Sequence, residues 1–192
     1  MKNFSNRYIF IYSAILVAIV AVVLAVVAVA LKPLQLRNQQ IEQQQMLLKS
    51  IGIEASTEEA EALYAEKIKE CADAQGLPYY QFDKGIIIPF KGTGLWGPIW
   101  GYIAFVNDLN ILGAVFDHKG ETPGLGGEIA SPKFAQRFIG KSFKGAPVVL
   151  RKHAAPSDAH QVDAISGGTM TSNGVSEMLA EGWQKYLAKD AQ

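Results

Sequence analysis

One cysteine, Cys71, stands in 192 residues. A lone cysteine closes no internal disulfide and builds no thiolate metal cage or iron–sulfur site, and it says little about compartment. Charge of either sign is not in excess, since 18 Lys and Arg balance 18 Asp and Glu. A nucleic-acid binder carries a basic face, so nucleic acid is not an expected partner. Histidine is scarce, and His118, His153 and His160 are too scattered for a metal motif. Adding Asp117, Glu121, Asp158 and Asp163 gives no diagnostic ligand spacing, so no metal site is expected. No Gly-x-Ser-x-Gly elbow is present, and no histidine is placed by sequence as a base for Ser166 or Thr169. A catalytic residue of this chain's own is therefore not expected. No internal repeat is seen.

Charge is also missing from Ile9 to Leu31, and there the absence is informative. The segment is apolar apart from Tyr12 and Ser13, and a helix rising about 1.5 Å per residue over it crosses a hydrocarbon core of about 30 Å. Ala28-Val29-Ala30 looks like a signal cleavage site, but the apolar run is much longer than the roughly 7–15 residues of a signal peptide. A retained transmembrane anchor over residues 1–33 is expected. Lys2 and Arg7 on one side and Lys32 and Arg37 on the other leave orientation undecided. Its Ala- and Val-rich faces suit packing against other membrane helices.

Pro33 is expected to end the span. Leu34 to Lys49 is Gln-rich, with Leu34, Ile41 and Leu48 seven apart, so residues 34–55 read as a stalk or linker helix with one apolar stripe, or as a partner-facing helix. The soluble domain is expected over 56–192. Ser56-Thr57-Glu58-Glu59 is a capping-box pattern. Ala60, Leu63, Tyr64, Ile68, Cys71 and Ala72 follow at helical spacing, placing Cys71 as a small buried helix residue, and Gly76 with Pro78 stops that helix. Strands are expected at Ile86–Phe90, Ile99–Val106, Ile111–Phe116 and Pro147–Arg151, the second and third joined as a hairpin through residues 107–110. A short helix is expected over Phe134–Ile139. A last helix from about Asn173 to Ala188 is expected to bury Val175, Leu179, Trp183 and Leu187. Strands in the middle with helices at either end predict an α+β fold with a largely antiparallel sheet flanked by helices.

Three stretches carry chemistry. Gly92-Thr93-Gly94-Leu95-Trp96-Gly97 matches G-x-G-x-x-G in letters only. A strand follows, whereas a dinucleotide loop must open a helix. A tight loop with an aromatic edge remains; Trp96 and Trp100 are placed to pack the core, or one of them to border a flat ring, with Leu95-Trp96 the candidate region for the latter. Glu121-Thr122-Pro123-Gly124-Leu125-Gly126 reads as a turn at Pro123-Gly124, or as a loop whose small residues admit a ligand close to the backbone. Asp163-Ala164-Ile165-Ser166-Gly167-Gly168-Thr169 is the third. It places hydroxyls around two glycines just ahead of a helix, where exposed N–H groups and the helix dipole favour an anion such as a phosphate.

This last stretch resembles the Asp-x-x-Ser/Thr-Gly-x-Thr signature at which a flavin transferase attaches FMN to a threonine through a phosphoester. On that match the acceptor is Thr169. The apolar span, the Glu121–Gly126 loop and Ser166-Gly167-Gly168-Thr169 occur in the order found in the C subunit of the sodium-translocating NADH:quinone reductase. Gly94-Leu95-Trp96-Gly97-Pro98 and Ser172-Asn173-Gly174-Val175 extend the resemblance over nearly the whole chain. The G subunit of the Rnf ferredoxin:NAD oxidoreductase shares the domain and the motif and is the alternative, but Leu95 to Gly101 and Thr171 to Val175 look more like the quinone reductase. Glycine at 168, commonly alanine in the family, implies a looser loop.

The resemblance implies a bacterial inner-membrane subunit with its soluble domain on the periplasmic side. It implies one covalent FMN, donated from FAD with release of AMP, and electron relay between NADH and quinone sites on other subunits. Asp163 would belong to the sequence the transferase recognises. Gly167 and Gly168 would leave space for the phosphate, and the N–H groups of Thr171 and Ser172 would bind its oxygens. Glu121, Thr122, Gly124, Leu125 and Gly126, with Leu95 and Trp96, would edge the flavin. A membrane-anchored scaffold without cofactor is the competing reading from another class.

Overall fold

A computed structural model describes residues 5–188; Lys2, one of the flanking charges, lies outside the described residues. The chain divides into two compact units, residues 1–42 and 43–192. Helix α1 (Asn6–Ser50) contains Pro33 within it. The expected stop at Pro33 is thus not a helix end. A proline removes one backbone donor and crowds the preceding turn, and an isolated one is tolerated within a long transmembrane-type helix. The helix is long and apolar enough to cross a bilayer by length and composition.

In the second unit, a five-stranded antiparallel sheet runs in the order β1 (Lys69–Ala72), β2 (Pro78–Phe82), β3 (Gly85–Thr93), β4 (Pro98–Val106), β5 (Asn110–His118). Every neighbour in the sheet is also the neighbour in sequence, so short turns suffice. β3 and β4 pair from Ile86–Phe105 to Thr93–Pro98. Side chains alternate between two cores. Ile88, Phe90, Ile99, Ile103 and Phe105 face one, with Val175, Met178 and Leu179 of the C-terminal helix α4 (Thr169–Tyr186). Ile87, Tyr102 and Ala104 face the other, with Leu47 and Leu48 from the end of α1 and Tyr80 and Phe82 of β2. Burial on both faces is why Ile86–Phe90 and Ile99–Val106 read as nearly continuous apolar runs rather than alternating ones.

The sequence-based reading of residues 60–82 needs correction. The Ser56–Glu59 box closes a turn, with the Ser56 hydroxyl donating to Glu59 at 2.8 Å. Helix α2 then covers only Ala60–Lys67. Ile68 is extended, and Cys71 lies on β1, partly exposed, rather than on a buried helix face. β2 starts at Pro78, which by sequence signals only a stop. Pro at a strand's first residue is compatible with pairing there.

Beyond β5 come a 3-10 turn over Gly126–Ala130, the short helix α3 (Pro132–Gln136), and two strands, β6 (Val149–Arg151) and β7 (Gln161–Asp163), paired in parallel. Ser131 caps α3 by accepting from the Phe134 N–H at 3.2 Å. α4 begins at Thr169, earlier than the Asn173 expected. Val175, Leu179 and Leu187 are buried as expected. Trp183 is only half-buried, its indole N–H donating to the Phe143 carbonyl at 2.9 Å.

Candidate functional site

The three chemistry-bearing stretches come together at one end of the sheet. The first is the turn between β3 and β4, closed by the Gly94 N–H donating to the Gly97 carbonyl at 2.8 Å. The second follows β5. There the N–H groups of Leu125 and Gly127 donate to the Thr122 carbonyl at 3.1 and 2.9 Å, and Gly124 takes φ 75°, where a side chain is strained. The third is the first turn of α4. A β-carbon on Gly174 would collide with the Thr93 carbonyl, so the helix lies directly against the end of β3.

Glu121 joins all three. It is 4% exposed. One carboxylate oxygen accepts the Trp96 N–H at 2.8 Å and the other accepts the Thr171 hydroxyl at 2.5 Å. Its own N–H donates to His118 Nδ1 at 3.2 Å. Burial alone pushes the carboxyl's pKa up. The Thr171 hydroxyl, the Trp96 and Leu95 N–H groups and nearby His118 outweigh it, holding the pKa below the usual carboxylate range. Glu121 was expected to edge a ligand, but its carboxylate is turned inward onto protein groups. Gly94 and Gly126 leave room for it, since a β-carbon on either would run into that carboxylate.

Thr169 is the first residue of α4, and its side chain is exposed. Gly168 precedes it as the N-terminal flanking residue, no side chain caps the helix, and no acidic residue sits in the first turn. The first N–H groups of the helix are thus left for an outside acceptor. Gly167 takes φ 76°, and a β-carbon there would strike Leu125. Gly168 is buried, and its missing β-carbon would sit 3.4 Å from the Gly126 nitrogen. The β-carbon positions of both glycines are thus taken by protein atoms rather than left as space for a phosphate, and what this turn offers an anion is the open backbone N–H groups of α4.

The expectation for the Ser172 N–H changes as well. The Ser172 N–H already donates to the Gly168 carbonyl at 2.9 Å, as the first bond of the helix, so it is not open to a phosphate. Its hydroxyl accepts the Ile165 N–H at 3.0 Å and pins the loop leading to Thr169. The Thr171 hydroxyl is committed to Glu121. Thr122 and Ser166 are exposed, and so are Leu95, Trp96 and Leu125. Sequence reasoning misses Met170, which is 60% exposed beside Thr169. A methionine in the first turn of a helix, off its buried stripe, was the available signal. Asp163 stands at the end of β7, where its carboxylate accepts the Ala154 N–H at 2.8 Å.

Among the described residues, no cluster of three or more His, Cys, Asp or Glu side chains converges for a metal. What converges is an open helix N-terminus with a threonine hydroxyl at its exposed start, two glycine-rich loops and an exposed apolar rim.

These stretches lie within residues 94–184, which match the family model of an FMN-binding domain, and that match gives the class. A crystal structure of the C subunit of Na(+)-translocating NADH-quinone reductase from Parabacteroides distasonis is 38% identical with a TM-score of 0.70, covering 82% of this chain and 95% of that one. The chain belongs to the family of that C subunit. The C subunit of Chlamydia caviae is 36% identical over 164 residues, 74% of this chain and 49% of its own length. That of Neisseria meningitidis serogroup A is 40% identical over 114 residues, 54% of this chain and 44% of its own. The chain thus spans about half the length of these curated relatives. A Shewanella oneidensis crystal structure, 23% identical with a TM-score of 0.63, shares the fold.

Proposed function

We propose that this chain is a membrane-anchored flavoprotein subunit of a Na+-translocating NADH:quinone oxidoreductase, carrying FMN through a phosphoester on Thr169. The observation that carries the reading is the placement of Thr169. Thr169 is an exposed residue opening the uncapped first turn of α4, directly after Gly167 and Gly168, which approach Leu125 and Gly126 of the neighbouring loop. Attachment forms a bond from the Thr169 oxygen to the flavin phosphate. It breaks the pyrophosphate bond of FAD, releases AMP and loses the hydroxyl proton. A separate flavin transferase performs it, and Asp163 belongs to the sequence that enzyme reads.

The N–H groups at the start of α4 neutralise part of the phosphate charge. Leu95, Trp96, Leu125 and Met170 present apolar and aromatic surface where a flat ring is bordered. The bound FMN supplies redox chemistry, passing electrons between NADH and quinone sites on partner subunits. The long apolar part of α1 anchors the chain in the bacterial inner membrane, with the flavin domain on the periplasmic side.

In-gel fluorescence after denaturation tests the reading. The full chain and Thr169→Val are each co-produced with a flavin transferase known to be active. A fluorescent band for the parent and none for the variant is expected. Fluorescence retained by Thr169→Val would move the attachment elsewhere.

A further inference from the structure

Resting on that flavin reading, we propose that Glu121 is a positioning residue. Its carboxylate fastens the Trp96 turn to the first turn of α4, so that the apolar rim and the Thr169 hydroxyl are presented together. The Trp96 side chain is 69% exposed and that of Leu95 50% exposed, so burial does little to hold this turn in place. The polar tie holds it instead. One carboxylate oxygen takes the Trp96 N–H, and the other takes the hydroxyl of Thr171, two residues after Thr169. The space for it is kept by two glycines from different loops, Gly94 and Gly126, neither of which tolerates a β-carbon beside it. A buried carboxylate with all its close partners on separate segments is costly unless those bonds form, so the segments are held in one arrangement. Without it, the Trp96 N–H turns to solvent and the rim moves independently of Thr169.

The substitutions separate this role from general support of the fold. Glu121→Ala removes the tie. Glu121→Gln preserves much of it, because the amide oxygen still accepts the Trp96 N–H while its NH2 group donates to the Thr171 oxygen. Thr171→Val leaves the carboxylate and removes one of its two anchors. The chain contains three tryptophans, so selective 15N-Trp labelling of the full chain in detergent reports Trp96 with Trp100 and Trp183 as internal references.

Amide exchange at Trp96 is expected to rise about tenfold or more in Glu121→Ala, less in Thr171→Val, and little in Glu121→Gln, with Trp100 and Trp183 unchanged. The initial rate of flavin attachment by the transferase is expected to fall about fivefold or more in Glu121→Ala and to recover in Glu121→Gln. Unchanged Trp96 exchange in Glu121→Ala would overturn the proposal. Faster exchange with an unchanged attachment rate would also overturn it, since the tie would then serve only the loop. A parent chain that takes up no flavin would overturn the flavin reading instead, and the exchange comparison would still decide whether Glu121 is the tie.

Discussion

At the scale of single residues, the buried Glu121 carboxylate and the glycines around it decide how the site is held. The Glu121 pKa is depressed in the folded chain from the usual 4.5. A depressed carboxyl contributes stability that is fully present above its unfolded value and is lost as pH falls through its folded value. The stability difference between the parent and Glu121→Gln is therefore expected to be constant above about pH 5 and to shrink below about pH 4. Urea unfolding at a series of pH values measures it, and a difference that instead grew on acidification would contradict the ionised assignment. Gly126 offers a steric counterpart. A β-carbon there collides with both Thr171 and Glu121, which are held by their mutual hydrogen bond and have little room to yield. Gly126→Ala is expected to cost about 1–3 kcal/mol in chemical denaturation. A loss below about 0.5 kcal/mol would mean the loop relaxes freely.

At the scale of elements, the contact between α4 and the end of β3 places Thr169. Gly174 and Gly182 are two points where the helix lies against β3 with no room for a β-carbon. The first meets the Thr93 carbonyl and the second the ring of Phe90. Gly174→Ala pushes against backbone, which cannot rotate away, and is expected to lower both stability and flavin attachment. Gly182→Ala pushes against a ring already packed on Phe105 and Phe143, and is expected to lower stability with little change in attachment. Thermal melts beside attachment assays of the two variants check this split.

The elements also show where sequence was informative. Ile86–Phe90 and Ile99–Val106 were legible as strands because burial on both faces makes them apolar throughout. Cys71 was misplaced because Ile68, Cys71 and Ala72 continue a helical spacing, although the backbone extends at Ile68. The strand from Pro78 was hidden behind its own proline, and β7 by its length, with Val162 the one buried residue among Gln161–Asp163. At the site, the Thr169 loop, the Glu121 loop and the Leu95–Trp96 turn were each legible as glycine-punctuated motifs. The bond from Thr171 to Glu121 was not, since the partners lie 50 residues apart and nothing local in either stretch specifies the other.

At the scale of the whole molecule, the chain combines an apolar helix with a domain that carries its own two cores. A chain beginning at Gln43 retains Leu47, Leu48 and both cores. It is expected to unfold cooperatively and to stay in the supernatant after ultracentrifugation, whereas the full chain sediments with membranes. A full chain that remained in the supernatant without detergent would contradict the anchor. Mass spectrometry on the full chain, co-produced with an active flavin transferase, decides whether Thr169 carries FMN. Intact mass gives the stoichiometry, and fragmentation of the peptide spanning Asp163–Ser172 gives the site. The expected result is a gain of one FMN less one water, carried on Thr169 and absent from Thr169→Val. An unmodified mass, beside a control substrate that the same transferase does modify, would contradict it.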